Sequence, residues 1–373
     1  MNRFFIRQKS PSTFGIALGV MLFATSVVAY SVRGQGCIAV RGAGLCPLTN
    51  GGHPEDAHLA SGDWLVSLGY RFLNSDRHFV GDREQTQRQD QGTEVINTSH
   101  FIDLGVQYAF TPRWSAGLTL PFAASDRSSL YEHKGNSSGE RYHTQAGGLG
   151  DIRITGYGWL LNPTELPKGN VQLGVGFKAP TGESDATDLF NRQEGLTLDY
   201  VDQSIQPGDG GWGMTMEINA YYVVLPKTVA FAQAYYLANP GNINSTPTRI
   251  RNIDSTDPFT RMSISDQYFL RSGLSYTIVP KWGMSMSLAG RAEGIPVEDV
   301  IGDSQGFRRP GFTISVEPGL EIMKGPYTFN VSVPVALHRN RQQSVSDKLS
   351  DPPRHGDAAF ADYAISTSLA YRF

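Results

Sequence analysis

Charge is scarce in this chain. Asp, Glu, Lys and Arg make up 18% of its 373 residues, against roughly 25% in ordinary soluble proteins. A basic excess is missing too: 32 Lys and Arg face 35 Asp and Glu, a formal charge of −3, so there is no electrostatic footprint for nucleic acid. The mean hydropathy of −0.28 excludes a bundle of membrane helices, each of which needs roughly 20 apolar residues. Disorder is excluded by the aromatic content of 11%, which supplies too much burial-prone surface. In place of charge the chain carries 41 Gly, 16 Tyr and 19 Phe.

The first 29 residues read as a secretory signal. Arg3, Arg7 and Lys9 precede an uncharged apolar run from Gly15 to Val28, and Val27-Val28-Ala29 offers small residues for cleavage. The alternative is an uncleaved anchor, for which Phe14 to Tyr30 is short. Cleavage leaves 29 basic against 35 acidic residues, or −6. Cysteine is limited to Cys37 and Cys46. In an oxidising compartment an even pair so close most simply forms a disulfide. Lipidation at Cys37 lacks an adjoining apolar run, and structural zinc wants four ligands. At the other end, Tyr363, Ile365, Thr367, Leu369, Tyr371 and Phe373 alternate with smaller or polar residues. A final aromatic on an amphipathic last strand resembles the C-terminal signature of bacterial outer-membrane barrels.

That alternation of period two recurs along the chain. It appears at Trp64 to Phe72, Ile102 to Phe110, Trp114 to Phe122, Ile152 to Leu160, Val171 to Ala179 and Met214 to Tyr222, and more vaguely at Val229 to Ala238. It continues at Tyr268 to Ile278, Trp282 to Leu288, Phe312 to Ile322, Tyr327 to Leu337 and the terminal strand, twelve in all. Connections alternate in length. Thr111-Pro112-Arg113, Leu225-Pro226-Lys227, Val279-Pro280-Lys281 and Lys324-Gly325-Pro326 are tight, with a medium link at 162–169. Long polar links run 75–92, 125–147, 181–211, 239–260, 294–309 and 339–357. An even number of strands with tight turns at one end and long loops at the other is the layout of a transmembrane barrel. Trp114 and Trp282, beside tight turns, suit an interfacial aromatic girdle. A soluble β-sandwich also alternates, but it needs a second apolar layer. Here the opposite faces carry Gly69, Ser115, Gly117, Thr119, Gly174, Gly176, Gly273, Ser275, Ser285 and Ser287.

Three enzymatic motifs fail on context. Gly208 to Gly213 satisfies GxGxxG but sits between a polar loop and a strand, whereas a dinucleotide site opens a helix. Gly135-Asn136-Ser137-Ser138-Gly139 fits GxSxG without the strand-to-helix turn of a nucleophile elbow. A barrel phospholipase needs His and Ser two residues apart, and none of the eight histidines has that spacing.

Gly148-Leu149-Gly150-Asp151, then Gly176 to Gly182 with Lys178 and Pro180, then Pro207-Gly208-Asp209-Gly210 resemble an outer-membrane family of transporters linked to the meta-pathway of phenol degradation. The match is concentrated in 147–213. The resemblance implies passage of small, often aromatic or apolar molecules. Cys37 and Cys46 are not part of the family's pattern.

By alternation the lumen face holds Arg71, Asp103, Asp151, Arg153, Lys178, Glu217, Arg271, Arg291, Glu317, Glu321 and Asp362, together with Gln107, Asn219, Glu293, Asn330 and Arg372. A lone charge facing hydrocarbon costs roughly 2–4 kcal/mol at the midplane, which favours one charged face turned inward. These charges either pair and stiffen the barrel or line a pore of weak ion selectivity. The 181–211 link carries seven acidic residues and Arg192 alone, −6. Its spacing fits no EF-hand, so a solvated loop is expected rather than a calcium site.

The expectation is therefore an all-β chain: signal peptide 1–29, periplasmic leader or plug 30–60, and a single antiparallel twelve-stranded barrel 61–373 in a bacterial outer membrane. The expected partners are outer-membrane lipid, the barrel-assembly machinery through Phe373, and a small-molecule substrate. No enzyme, cofactor, metal or nucleic acid is expected. The alternative is a structural or adhesive barrel with a closed lumen and partner-binding loops.

Overall fold

The structure, a computed structural model, describes residues 58–130, 132–133, 139–165, 168–193, 195–248 and 260–373. The signal, Cys37, Cys46 and the leader up to residue 57 lie outside them. The barrel strands are β1 (Trp64–Ser75), β2 (Ile96–Ala109), β3 (Trp114–Ser129), β4 (Tyr142–Leu149 and Arg153–Trp159), β5 (Gly169–Lys178) and β6 (Gly213–Leu225). They continue with β7 (Thr228–Ala238), β8 (Gln267–Val279), β9 (Met284–Ile295), β10 (Gly311–Lys324), β11 (Tyr327–Ser332 and Val335–Arg341) and β12 (Ala364–Arg372). Every neighbouring pair is antiparallel, and β1 closes the ring on β12 with Leu68 opposite Leu369. The result is a closed twelve-stranded barrel, with two short α-helices among the described residues.

The outer surface follows from the alternation. Leu104, Ile154, Val175, Phe177, Met216, Leu270, Leu274, Met286 and Leu288 are exposed, while the residues between them are buried or half-buried. A belt of this kind is stable only against lipid. Aromatic side chains collect at the tight-turn end, where the tilted rings of Trp64 and Tyr108 lie 4.7 Å apart and those of Tyr327 and Tyr371 4.9 Å apart. Trp114 covers Gly158, and Trp282 is also exposed. Phe373 is tied at the ring closure by two backbone hydrogen bonds to Trp64.

Three expectations are corrected. The link at 125–147 is largely strand: β3 runs on to Ser129 and pairs with Tyr142–Leu149. Its residues are polar on the side that faces lipid lower down (Asp126, His143, Gln145) because this hairpin stands beyond the membrane, where an apolar face no longer marks the period. The 181–211 link folds into a hairpin, Thr187–Arg192 against Gly195–Tyr200. On β7, whose run is vague in the sequence, the apolar alternation faces the lumen and not lipid. Val229, Phe231, Tyr235 and Leu237 are buried inside, and Ala234 lies level with the exposed Ile218 and Leu270. The interior thus has an aromatic wall as well as small and polar residues.

Candidate functional site: the barrel lumen

The interior divides into two kinds of wall. On the β8–β10 side, basic and acidic residues alternate in a ladder. Arg71 crosses from β1 to Glu293 (2.8 and 3.0 Å), and Arg291 bridges Glu293 (3.0 Å) and Glu317 (3.3 Å). Arg271 completes it on Glu317 at 2.7 Å. All five side chains are nearly or fully buried, so each charge depends on its neighbours. Two of the guanidinium groups also lie over rings of the aromatic wall, Arg291 over Phe269 (4.3 Å) and Arg271 over Phe231 (5.3 Å). Glu321 is buried four residues further along β10 than Glu317, nearer the tight-turn end and level with Asn330. Asp362 sits at the long-loop mouth, joined to Arg77 (2.5 Å) and Arg339 (2.6 Å).

On the β4–β7 side lie cavities rather than ion pairs. A chamber nearest the tight turns encloses about 670 Å³, including space open to solvent, and is walled by Gln107, Thr155, Tyr157, Glu217, Asn219 and Gln233. Tyr157 lies flat across its strand neighbours, so a Cβ at Gly174 would come within 2.9 Å of the ring. Its hydroxyl donates to Glu217 at 3.3 Å. A second chamber, about 570 Å³, is lined by Phe101, Asp103, Pro121, Lys178, Pro207 and Leu237. Arg153 and Tyr235 are the residues common to both linings. A vestibule of about 780 Å³ beneath the long loops shares Phe101, Asp209 and Gln267 with the second chamber.

The motif residues converge on the wall of that second chamber. Strand β4 is interrupted at 150–152, where Gly150 packs on Pro121 and donates its N–H to the Pro121 carbonyl at 2.7 Å. The break is filled by the chain after β5 and before β6. The Asp151 carboxylate accepts the N–H groups of Gly182 (3.0 Å) and Asp209 (3.1 Å), and Lys178 is held between Asp209 and Asp151. Gly182 and Gly208 cross so closely that a Cβ on Gly208 would lie 2.5 Å from the Gly182 carbonyl oxygen. Only glycine permits that crossing. Above the break, Tyr142–Leu149 pairs with β3 and not with β5. The chamber lining accordingly includes Phe122, a residue of the lipid-facing belt.

Three of the acidic residues of 181–211 pair with cations, Asp199 within its own hairpin and the other two with distant elements. Asp199 pairs with Arg192, Asp202 with Arg309 (2.7 Å) and Arg127 (3.6 Å), and Asp209 with Lys178. Among the described residues no group of three His, Cys, Asp or Glu could hold a metal. A second loop fastening joins Asp357 to His78 (3.0 Å) and Arg88 (2.9 Å). Burial opposes ionisation of Asp357, but the His78 hydrogen bond and the Arg88 charge prevail and hold its carboxyl down at about 2. A carboxyl held below its unfolded value near 3.9 stabilises the fold above that pH and loses the effect as pH falls through about 2. The 342–357 loop is therefore expected to keep its amide-exchange protection at pH 5 and to lose roughly 2 kcal/mol of it between pH 4 and pH 2. Unchanged exchange across that window would contradict the assignment.

No protein-family profile matches the sequence, and no curated protein does. Among solved structures, an outer membrane channel from Pseudomonas putida F1 superposes with a TM-score of 0.55 at 13% identity, covering 84% of this chain and 97% of that one. The fold is that of a bacterial outer-membrane barrel. The CymD monoaromatic hydrocarbon channel (TM-score 0.42, 10% identity, 92% and 99% covered) and the P. putida toluene transporter TodX (0.40, 10%, 92% and 99%) are also similar, too loosely to bear on function.

Proposed function

We propose that this chain is an outer-membrane channel for passive passage of small, apolar or aromatic molecules, with no chemistry performed on them. The observation that carries the reading is the succession of vestibule, aromatic-walled chamber and polar chamber down one side of the barrel. A solute entering the vestibule passes Phe101, which both cavities share, and then meets Tyr235 and Leu237 in the second chamber. The convergence of Gly150, Asp151, Lys178, Pro180, Gly182, Pro207 and Gly208 supports affiliation with the meta-pathway-linked family. Exposed Phe373 supports recognition by the barrel-assembly machinery. The charge ladder favours the competing reading, a closed structural barrel, because it stiffens one half of the lumen.

Cells carrying the protein should take up a labelled uncharged monoaromatic at low external concentration faster than cells lacking it. Equal initial rates would count against the proposal. The mixed signs of the lumen charges give weak ion selectivity. In a salt gradient across a planar bilayer the reversal potential should stay near zero, and a strong cation or anion preference would contradict the charge assignment.

A further inference from the structure

Every tight turn of the barrel carries one cation. Arg113 lies between β2 and β3, Lys168 between β4 and β5, Lys227 between β6 and β7, Lys281 between β8 and β9, and Lys324 where β10 turns into β11. All five are exposed. Glu165 is the one acidic residue in these turns, although acidic residues outnumber basic ones in the chain as a whole. Arg113 donates to the carbonyls of Trp159 and Leu160 at 2.8 and 3.0 Å. Among the described residues no carboxylate pairs with any of the four lysines. At the long-loop end, by contrast, Arg77, Arg88, Arg308 and Arg309 are each joined to a carboxylate.

Two further observations point to a ligand. The first is backbone conformation at Lys227. Pro226 and Lys227 form a two-residue turn closed by the pairing of Leu225 with Thr228. Lys227 has φ +67°, the one positive φ at a non-glycine position among the described residues. A cation thus stands where the backbone favours glycine, and such strain marks positions held for a function. The second is the company the cations keep. Arg113 lies 5.7 Å from the ring of Trp114, Lys281 precedes Trp282, and Lys324 is level with Tyr327 across its turn. Lys168 accepts the N–H of Val223 beside Tyr222. All four of these rings are exposed, at the depth where an aromatic girdle meets headgroups.

We propose that the tight-turn rim binds the headgroups of anionic phospholipids in the periplasmic leaflet. Tight turns are periplasmic in barrels of this class, so the rim continues the lipid-facing belt into the headgroup layer. The cations occupy every second seam of the ring, on the order of 10 Å apart, twice the spacing of neighbouring strands. That is about one Debye length at 0.1 M salt, so their fields add. An acidic protein would meet one sector of the rim. These cations encircle the barrel, as lipid does. The proposal stands apart from the passage of solutes through the lumen.

Native mass spectrometry of the folded barrel in detergent tests it, with phosphatidylglycerol and phosphatidylcholine of the same acyl chains as probes and heat-modifiable mobility as the check on folding. The wild type should retain phosphatidylglycerol roughly tenfold more tightly at low ionic strength, and the preference should shrink as ammonium acetate is raised. Lys168→Gln with Lys281→Gln and Lys324→Gln should bring the two lipids within about twofold of each other. Lys227→Gly should weaken the preference while raising the urea midpoint, because it removes the charge and relieves the backbone together. Those opposite movements separate lipid recognition from a merely structural turn. Arg83→Gln with Lys348→Gln and Arg354→Gln, which removes three exposed cations at the long-loop end, should leave the preference intact. No preference in the wild type, a preference surviving in the lysine triple variant, or an equal loss in the long-loop variant would each overturn the proposal.

Discussion

Glu293→Leu is expected to destabilise the folded barrel by about 3–5 kcal/mol, the range for breaking a buried ion pair from one side. Glu293 is 1% exposed and accepts hydrogen bonds from Arg71 and Arg291 together. Its loss leaves two guanidinium groups in the lumen with Glu317 as the remaining carboxylate of the ladder, and Glu317 already serves Arg271. The measurement is urea unfolding in detergent micelles, followed by tryptophan fluorescence. A triple variant, Glu293→Leu with Arg71→Met and Arg291→Met, should recover most of the loss, because removing an entire buried network is often close to neutral. A triple variant as unstable as the single one would show that packing, and not charge compensation, sets the cost.

Lys178→Met should have the next largest effect. Lys178 is 3% exposed and stands between Asp209 and Asp151, both of which also bind backbone N–H groups of the chain that fills the β4 break. Without the ammonium, two carboxylates face each other across one short gap. The cost falls toward the lower end of about 3–5 kcal/mol, since Asp209 keeps 22% exposure and can be partly hydrated. The consequence should be local. Amide exchange at 181–184 and 206–211 should accelerate many-fold while that of β9 and β10 stays unchanged. Uniform acceleration through the barrel would contradict the view that these residues lock one interruption of the wall.

The strand count, the even number and the short–long rhythm of connections were legible in the sequence because lipid imposes one rule on every strand: apolar side chains outward, at period two. Where that rule stops, so did legibility. Ser125–Ser129 and Tyr142–Leu149 continue a hairpin above the membrane with polar residues outside, and they read as loop. Phe231, Tyr235 and Leu237 were assigned no inward role, because an aromatic residue at period two looks the same facing lipid or lumen. Only the register against β6 and β8 separates the two. The individual charges of the ladder could be named from alternation. That Arg71 reaches Glu293 could not, since the two are 222 residues apart and four strands round the ring. The acidity of 181–211 was visible, whereas the pairing of Asp202 with Arg127 and Arg309 and of Asp209 with Lys178 depends on elements that only the fold brings together. The glycines of the motif were visible as a pattern. Their reason, the crossing of Gly182 and Gly208, is a backbone contact with no local signal.

The central claim, that this barrel lets small molecules through, is tested most directly by swelling of liposomes containing the purified, folded protein, with uncharged solutes graded in size and polarity. Swelling should be fast for the smallest solutes, fall steeply with solute size, and be absent in protein-free liposomes. Swelling no faster than in protein-free liposomes for every solute would contradict the claim and leave a closed structural barrel.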